Sequence, residues 1–245
     1  MTLGTRAAAA AKLVELLLFP SYCRLCGGLL DEPGERIVCR ECLGRLTPRQ
    51  GPVCPCCGRF LEGPAEGHHC RRCLERPPAF TLHRSCGAYD GDLKDIVLLL
   101  KYRRFAVLGR SLAAFAEACL APEEGLWQEA AAFVPVPLHR SRERERGFNQ
   151  SRLIARELAR ARGLAVVDRS LIKVRNTPPQ TSLEAGDREK NVRNAYAVKD
   201  PRRISGKALI LVDDVFTTGA TLRECSRVLV EAGAREVRAL TIAQA

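Results

Sequence analysis

The chain has 245 residues, 46% of them hydrophobic and 27% charged, with a formal net charge of +11. This ordinary globular balance allows a real core, and the length suits one large domain or two smaller ones. The positive excess would attract polyanions such as nucleic acid or phosphorylated ligands, although arginines scattered for solubility give the same count.

Residues 1–20 read MTLGTRAAAAAKLVELLLFP. Lys12 and Glu15 interrupt the apolar stretch, and Leu13, Leu16 and Leu17 share one helix face, so a short amphipathic helix is expected rather than a secretory signal. No run is long enough to span a membrane. A cytosolic setting follows, where clustered cysteines point to metal rather than disulfides.

Ten of the twelve cysteines lie between Cys23 and Cys86. Cys23-x2-Cys26-x12-Cys39-x2-Cys42 recurs as Cys54-x2-Cys57-x12-Cys70-x2-Cys73, an offset of 31 residues shared by Gly27/Gly58, Leu30/Leu61, Pro33/Pro64 and Leu43/Leu74. Such self-similarity marks two copies of one small unit, and the expected double zinc ribbon spans 21–78. Four thiolates in two C-x2-C pairs suit tetrahedral Zn²⁺, and a full set of four leaves no open position for substrate, so both ions are expected to be structural. Cys56, His68 and His69 align with Leu25, Ile37 and Val38 and are read as spacers, while Cys86, Cys119 and Cys225 are read as buried small apolar residues.

Arg76-Pro77-Pro78 reads as a linker, and residues 79–245 form the second expected domain. Strands are expected at 82–89, 131–137, 164–167, 208–212 and 237–242. Helices are expected as two pieces within 92–120, with Gly109 marking an interruption, and at 152–162 and 222–232, the last ended by Gly233. Residues 175–194 are polar and read as a mobile loop. Alternating strand and helix gives an α/β domain with a mainly parallel sheet and flanking helices.

The most informative segment is Ala208-Leu-Ile-Leu-Val-Asp213-Asp214-Val215-Phe216-Thr217-Thr218-Gly219-Ala220-Thr221. A buried strand ends in two carboxylates, followed by a small-residue turn and a helix, so amide N–H groups and the positive end of the helix dipole converge on one point. The threonine hydroxyls add donors, and Gly219 permits a positive φ or a close ligand. Asp213 and Asp214 suit sugar hydroxyls, a nearby Mg²⁺ or developing positive charge, and are the candidate catalytic pair. The segment resembles the phosphoribosyl pyrophosphate signature of type I phosphoribosyltransferases, which implies a 5-phosphate site over Val215–Thr221. It lacks the lysine and the length of a Walker A loop.

That resemblance implies a pyrophosphate loop after the Phe133–Pro137 strand, where Pro137, Leu138, Arg140 and Arg146 are candidates. Arg140, Arg142 and Arg144 alternate with glutamates and also fit a solvated face, so Arg146 beside Gly147 is preferred. It also implies a flap over 175–194, with Gln180, Arg188 and Asn191. Together with Leu99-Leu-Lys101-Tyr102, the VPVPLHR-to-RGFNQ block and Thr177-Pro-Pro-Gln180, the chain resembles the ComF family, which implies a type I phosphoribosyltransferase-like domain behind a double zinc ribbon and a place in bacterial competence and DNA uptake. Three activities fit: a Mg²⁺-dependent phosphoribosyltransferase whose general base does not stand out, a single-stranded nucleic-acid or DNA-uptake component, and a metabolite sensor without turnover. The aromatic content of 5% disfavours strand binding by base stacking.

Overall fold

The computed structural model describes residues 20–30, 37–61, 67–177 and 190–245. The expected N-terminal helix, Gln180 and Arg188 lie outside these residues. The chain divides into two compact units, Met1–Thr47 and Pro48–Ala245.

The first unit is one zinc ribbon. Tyr22 and Leu29 form an antiparallel bridge around the turn that carries Cys23 and Cys26, closed by Cys23 N–H to Gly28 O at 2.7 Å and Gly27 N–H to Cys23 O at 3.0 Å. Helix α1 (Arg40–Gly44) carries Cys42, and Cys39 caps it by accepting from the Cys42 amide. The second copy, in the other unit, repeats the bridge and both turn bonds, without the side-chain cap. Val53 bridges Phe60, Cys54 N–H reaches Arg59 O at 2.8 Å, Gly58 N–H reaches Cys54 O at 2.9 Å, and α2 (Arg71–Glu75) carries Cys73.

The rest of the second unit is built on β6 (Ala208–Phe216) and β7 (Glu236–Gln244), both buried along nearly their whole length. Central parallel strands are covered on both faces, hence their continuous apolar runs. With β1 (Leu82–Ala88), β2 (Ala132–Pro135) and β3 (Ala165–Val166) they form a five-stranded parallel sheet in the order β1-β7-β6-β2-β3. Between the strands run α3 (Gly91–Tyr102), α4 (Leu108–Leu120), α5 (Glu124–Trp127), α6 (Arg140–Arg146) and α7 (Gln150–Arg162), and α8 (Ala220–Glu231) joins β6 to β7. A separate antiparallel pair, β4 (Leu171–Lys173) with β5 (Tyr196–Val198), brackets the expected flap.

Successive strand residues face opposite sides. Leu209 and Leu211 of β6 pack with Leu222, Cys225 and Leu229 of α8, Tyr196 of β5, and the four cysteines of the second ribbon in one buried cluster. The second ribbon therefore shares a core with the sheet. On the other face α7 packs on β2 and β6, and α4 lies between α7 and β1.

Three sequence expectations are corrected. β6 runs on through Phe216 because β7 is long enough to pair Asp213 with Thr241 and Phe216 with Gln244. Helix α8 starts at Ala220, two residues early, because Gly219 already has the left-handed geometry that turns the chain. The break between α3 and α4 falls before Leu108, where Arg104 takes φ 59°, and Gly109 lies inside α4. There a Cβ would stand 3.0 Å from Leu153 Cβ, so the glycine serves close packing of α4 on α7.

The start of α7 ties helix to sheet. Asn149 accepts from the Ser151 and Arg152 amides at 3.0 and 3.4 Å and donates to Val136 O at 2.9 Å, fully buried. Asn149→Ala is expected to cost about 2 kcal/mol, the upper range for a lost cap, because it also orphans a buried carbonyl. Urea unfolding at constant zinc measures this, and a loss below about 0.5 kcal/mol would contradict the assigned cap.

Candidate functional site

Each ribbon gathers four sulfurs, Cys23, Cys26, Cys39 and Cys42 in one and Cys54, Cys57, Cys70 and Cys73 in the other, with every ligand atom of a set within 4.8 Å of the rest. Cys23 and Cys42 sulfurs are 3.8 Å apart, as are those of Cys26 and Cys39, and Cys57 to Cys70 is 3.5 Å. Tetrahedral Zn²⁺ with Zn–S bonds of about 2.3 Å requires edges of about 3.8 Å, so the donor sets fit zinc. Burial raises Cys23 and Cys54, but three amides donate to each sulfur and bring both thiols down to about 6. Burial and neighbouring sulfurs push Cys42 and Cys57 far up. Thiols of such unlike acidity lose their protons together only when a cation joins them. Cys56, His68 and His69 stand outside both sets.

An arginine also answers each sulfur cluster. Arg45 Nη2 reaches Cys42 Sγ at 3.1 Å within the first ribbon. In the second, Cys73 Sγ is met by Arg223 of α8 at 3.8 Å.

The acidic pair lies near the C-terminal end of β6. Ser151 Oγ donates to Asp213 Oδ1 at 2.9 Å, and the Asp214 amide donates to the same oxygen at 2.9 Å. Asp214 is buried, and its Oδ2 is met at 2.9 Å by the Lys101 ammonium at the end of α3 as an ion pair. Asp213 sits deep in the fold with one edge still open. Burial, then the charge of Asp214, lifts the Asp213 carboxyl to about 7 against the pull of Lys101. Burial would lower Lys101, but Asp214 and Asp213 hold it above its ordinary value. Two carboxylates, one with an oxygen opposed only by an ammonium, suit a hard cation that also binds phosphate oxygens. Asp213 and Asp214 are the residues that would hold Mg²⁺.

The loop beyond β6 turns at Gly219, whose φ is +74° and whose Cβ, if present, would lie 2.7 Å from the Phe216 ring. Phe216 points inward and stacks on His83 at 4.4 Å, so it forms the floor of the loop, with Thr217, Thr218, Ala220 and Thr221 above it. The Ala220 amide donates to Thr218 Oγ1 at 3.4 Å. His83 is fully buried, and burial lowers it to about 4, so it is neutral. Its Nδ1–H donates to Cys57 O at 2.8 Å and its Nε2 accepts from Thr241 Oγ1 at 3.0 Å. No pattern in the sequence marked His83 or Ser151 as site residues, and Lys101 stood in the Leu99–Tyr102 motif with no role assigned to it.

On the far side of the acidic pair, Pro137 and Leu138 follow β2. Arg142 and Arg146, one turn apart on α6, line a cavity of about 290 Å³ with Lys101, Tyr102, Arg104 and one acid, Glu145. The structure thus brings Arg146 to the site together with Arg142, and leaves Arg140 exposed and away from that cavity. Arg142 Nη2 also donates to Thr177 O at 2.9 Å, and Arg175 Nη2 to Asn191 O at 3.0 Å, which places Asn191 at the root of the flap segment.

A double zinc ribbon, with a parallel sheet whose central strand delivers two acids into a glycine-centred loop, defines a zinc-ribbon protein on the phosphoribosyl transferase fold. Residues 14–74 match the Double zinc ribbon domain, and residues 146–245 the Phosphoribosyl transferase domain. The chain is 33% identical over 166 residues to the DNA utilization protein YhgH of Salmonella typhimurium, covering 67% of this chain and 72% of that protein. It is 35% identical over 115 residues to Competence protein F of Haemophilus influenzae, covering 46% of this chain and 50% of the other. It is 29% identical over 160 residues to Competence protein ComFC of Streptococcus pneumoniae, covering 65% and 67%. The chain belongs to the ComF family. Among solved structures, a yeast adenine phosphoribosyltransferase aligns at 15% identity over 58% of this chain and 72% of its own, with a TM-score of 0.38. Among the described residues no helix is long and apolar enough to cross a membrane.

Metal-replete protein is expected to carry two zinc ions per chain by elemental analysis, and one ion or none would refute the two-centre assignment. The acidic pair gives a second expectation. A carboxyl with its folded pKa raised from about 4 to about 7 contributes stability that is full below the lower value and lost as pH rises through the higher. Asp213→Asn should therefore raise the melting temperature of ligand-free protein at pH 8, with the gain shrinking toward pH 6. A variant less stable than wild type across that range would contradict the electrostatic assignment.

Proposed function

We propose that the chain binds phosphoribosyl pyrophosphate with Mg²⁺ in the crevice at the C-terminal end of β6. The observation that carries this reading is the run of Asp213 and Asp214 directly into the Gly219 turn and the first turn of α8. An acid pair for a sugar and an amide-lined turn for a monoester are joined there by two residues of chain. The 5-phosphate would lie over Thr217–Thr221, where amides and the helix dipole favour an anion. The ribose hydroxyls would donate to Asp213 and Asp214. The pyrophosphate would meet Arg142, Arg146 and Lys101, whose forked and ammonium donors suit phosphate oxygens. Mg²⁺, when bound, would neutralise pyrophosphate charge and assist its departure.

If the C1–O bond breaks, positive charge grows on the ribose ring, and the two carboxylates lie on the side where it would be offset. The flap segment, anchored through Arg142 to Thr177 and Arg175 to Asn191, would exclude water. The names of the relatives, DNA utilization protein and Competence protein, support a role in DNA uptake or use. A second reading, single-strand binding, is favoured by a cavity of about 630 Å³ lined by Arg76, Lys190, Arg193, Arg223 and Arg227 with one acid, Glu224.

Calorimetry of zinc-loaded protein with phosphoribosyl pyrophosphate and Mg²⁺ tests the first reading. Saturable binding is expected, weakened at least tenfold in the Asp213→Asn/Asp214→Asn double variant. Identical isotherms for the two proteins would sink it. A screen of amine and nucleobase acceptors for pyrophosphate release then separates transfer from binding alone, and strand affinity falling steeply with salt would support the second reading.

A further inference from the structure

The second zinc ribbon lies against the phosphate loop as well as sharing the sheet's core. Arg72 Nη1 donates to Thr218 O at 2.6 Å, across 146 residues of sequence. Arg72 is one of the two residues between the ligands Cys70 and Cys73, in the first turn of α2, so a metal holding both sulfurs also fixes the backbone that carries this guanidinium. Further contacts tie the ribbon to β1, to the same loop and to the helix after it. His83, bonded to Cys57 O, stacks beneath Phe216, which in turn fills the space under Gly219. Gly58 lies so close to β1 that a Cβ would be 2.5 Å from His83 O, whereas its counterpart Gly27 has open space. Arg223, in the first turn of α8, donates to Arg76 O at 2.5 Å and reaches Cys73 Sγ.

We propose that Arg72 is a positioning residue for the phosphate loop, and that the second ribbon acts through it to hold Thr218 and the amides that follow in the anion-binding shape. A carbonyl that accepts from a guanidinium cannot rotate into the mouth of the loop, where it would repel a phosphate. Fixing the Thr218–Gly219 peptide in this sense keeps the Gly219 amide on the opposite side of the peptide from that carbonyl. A charge-assisted bond also competes better with water than a neutral one. Arg72 need not touch the ligand to do this. The guanidinium also lines, with Arg59, Arg71, Thr217 and Thr218, a cavity of about 620 Å³.

This inference rests on the phosphoribosyl reading of the site, and its test separates the two. The probes are ribose 5-phosphate, phosphoribosyl pyrophosphate with Mg²⁺, and inorganic pyrophosphate with Mg²⁺, titrated into zinc-loaded wild type, Arg72→Ala and Arg72→Lys. Arg72→Ala should keep two zinc ions per chain, weaken both phosphorylated sugars about tenfold, and leave pyrophosphate unchanged, because that end of the ligand lies with Arg142 and Arg146. Arg72→Lys, which keeps one charged donor, should recover part of the loss. Wild-type binding with no change in Arg72→Ala would overturn the positioning role and leave the ligand reading intact. Loss of zinc, or equal weakening of pyrophosphate, would reduce Arg72 to a general structural role and also overturn it. Failure of wild type to bind either sugar would remove the ligand reading and this inference with it.

Discussion

Two carboxylates on adjacent residues of a buried strand repel each other, and desolvation penalises each of them. The fold answers with the Lys101 ammonium on Asp214, while Asp213 accepts from a hydroxyl and an amide, and its carboxyl is lifted to about 7. An arrangement that strains the empty protein is the expected signature of a place where a ligand supplies what is missing. Sugar hydroxyls would give Asp213 donors without a charge, and a divalent ion would compete with Lys101 for the same Asp214 oxygen. The end of α3, the start of α7 and the end of β6 meet at this point, so three separate stretches of chain are constrained by one pair of acids.

The two ribbons began as the same local structure, and the bonds at an offset of 31 residues show how little the fold of the unit itself has diverged. What differs is what each copy answers to. The first balances its sulfurs with its own Arg45, while the second borrows Arg223 from α8. Its cysteines count among the buried residues that pack with β6 and α8, which is an unusual place for a structural metal unless the metal centre is part of the domain's core. A ribbon too small to fold alone has then become one wall of a larger domain, and the free energy of zinc binding is shared with that domain.

Much of this was legible in the sequence, for identifiable reasons. Metal ligands are chosen by chemistry that few other residues can perform, so eight cysteines at fixed spacing specified both centres. The apolar run before Asp213 specified the central strand, although its end could not be read, because the pairing that prolongs it depends on β7. The alternation of Arg140, Arg142 and Arg144 with glutamates suggested a solvated face. Helix geometry instead turns Arg142 and Arg146 to the cleft together, and leaves Arg140 and Arg144 outside. His83 and Ser151 carried no local signal, and Lys101 stood in a short motif that gave it no role. Each matters because of a partner 26 to 158 residues away, as with His83 between Cys57 and Thr241, and such pairings exist only in three dimensions.

The net charge of +11 gains meaning from this distribution. Lys101, which pairs with Asp214, lines one cavity with Arg142 and Arg146, and Arg59, Arg71 and Arg72 of the second ribbon line another with Thr217 and Thr218. A polyanion with uniform charge would be repelled at the centre, where Asp213 and Asp214 lie, and attracted at both ends. A molecule with an anion at each end and hydroxyls between them meets no such conflict. Net charge alone cannot distinguish these two guests, but a negative centre between positive flanks favours the second. On the proposed function the acids would act as a filter on what the surrounding arginines hold, a selectivity that Coulomb attraction by itself does not supply.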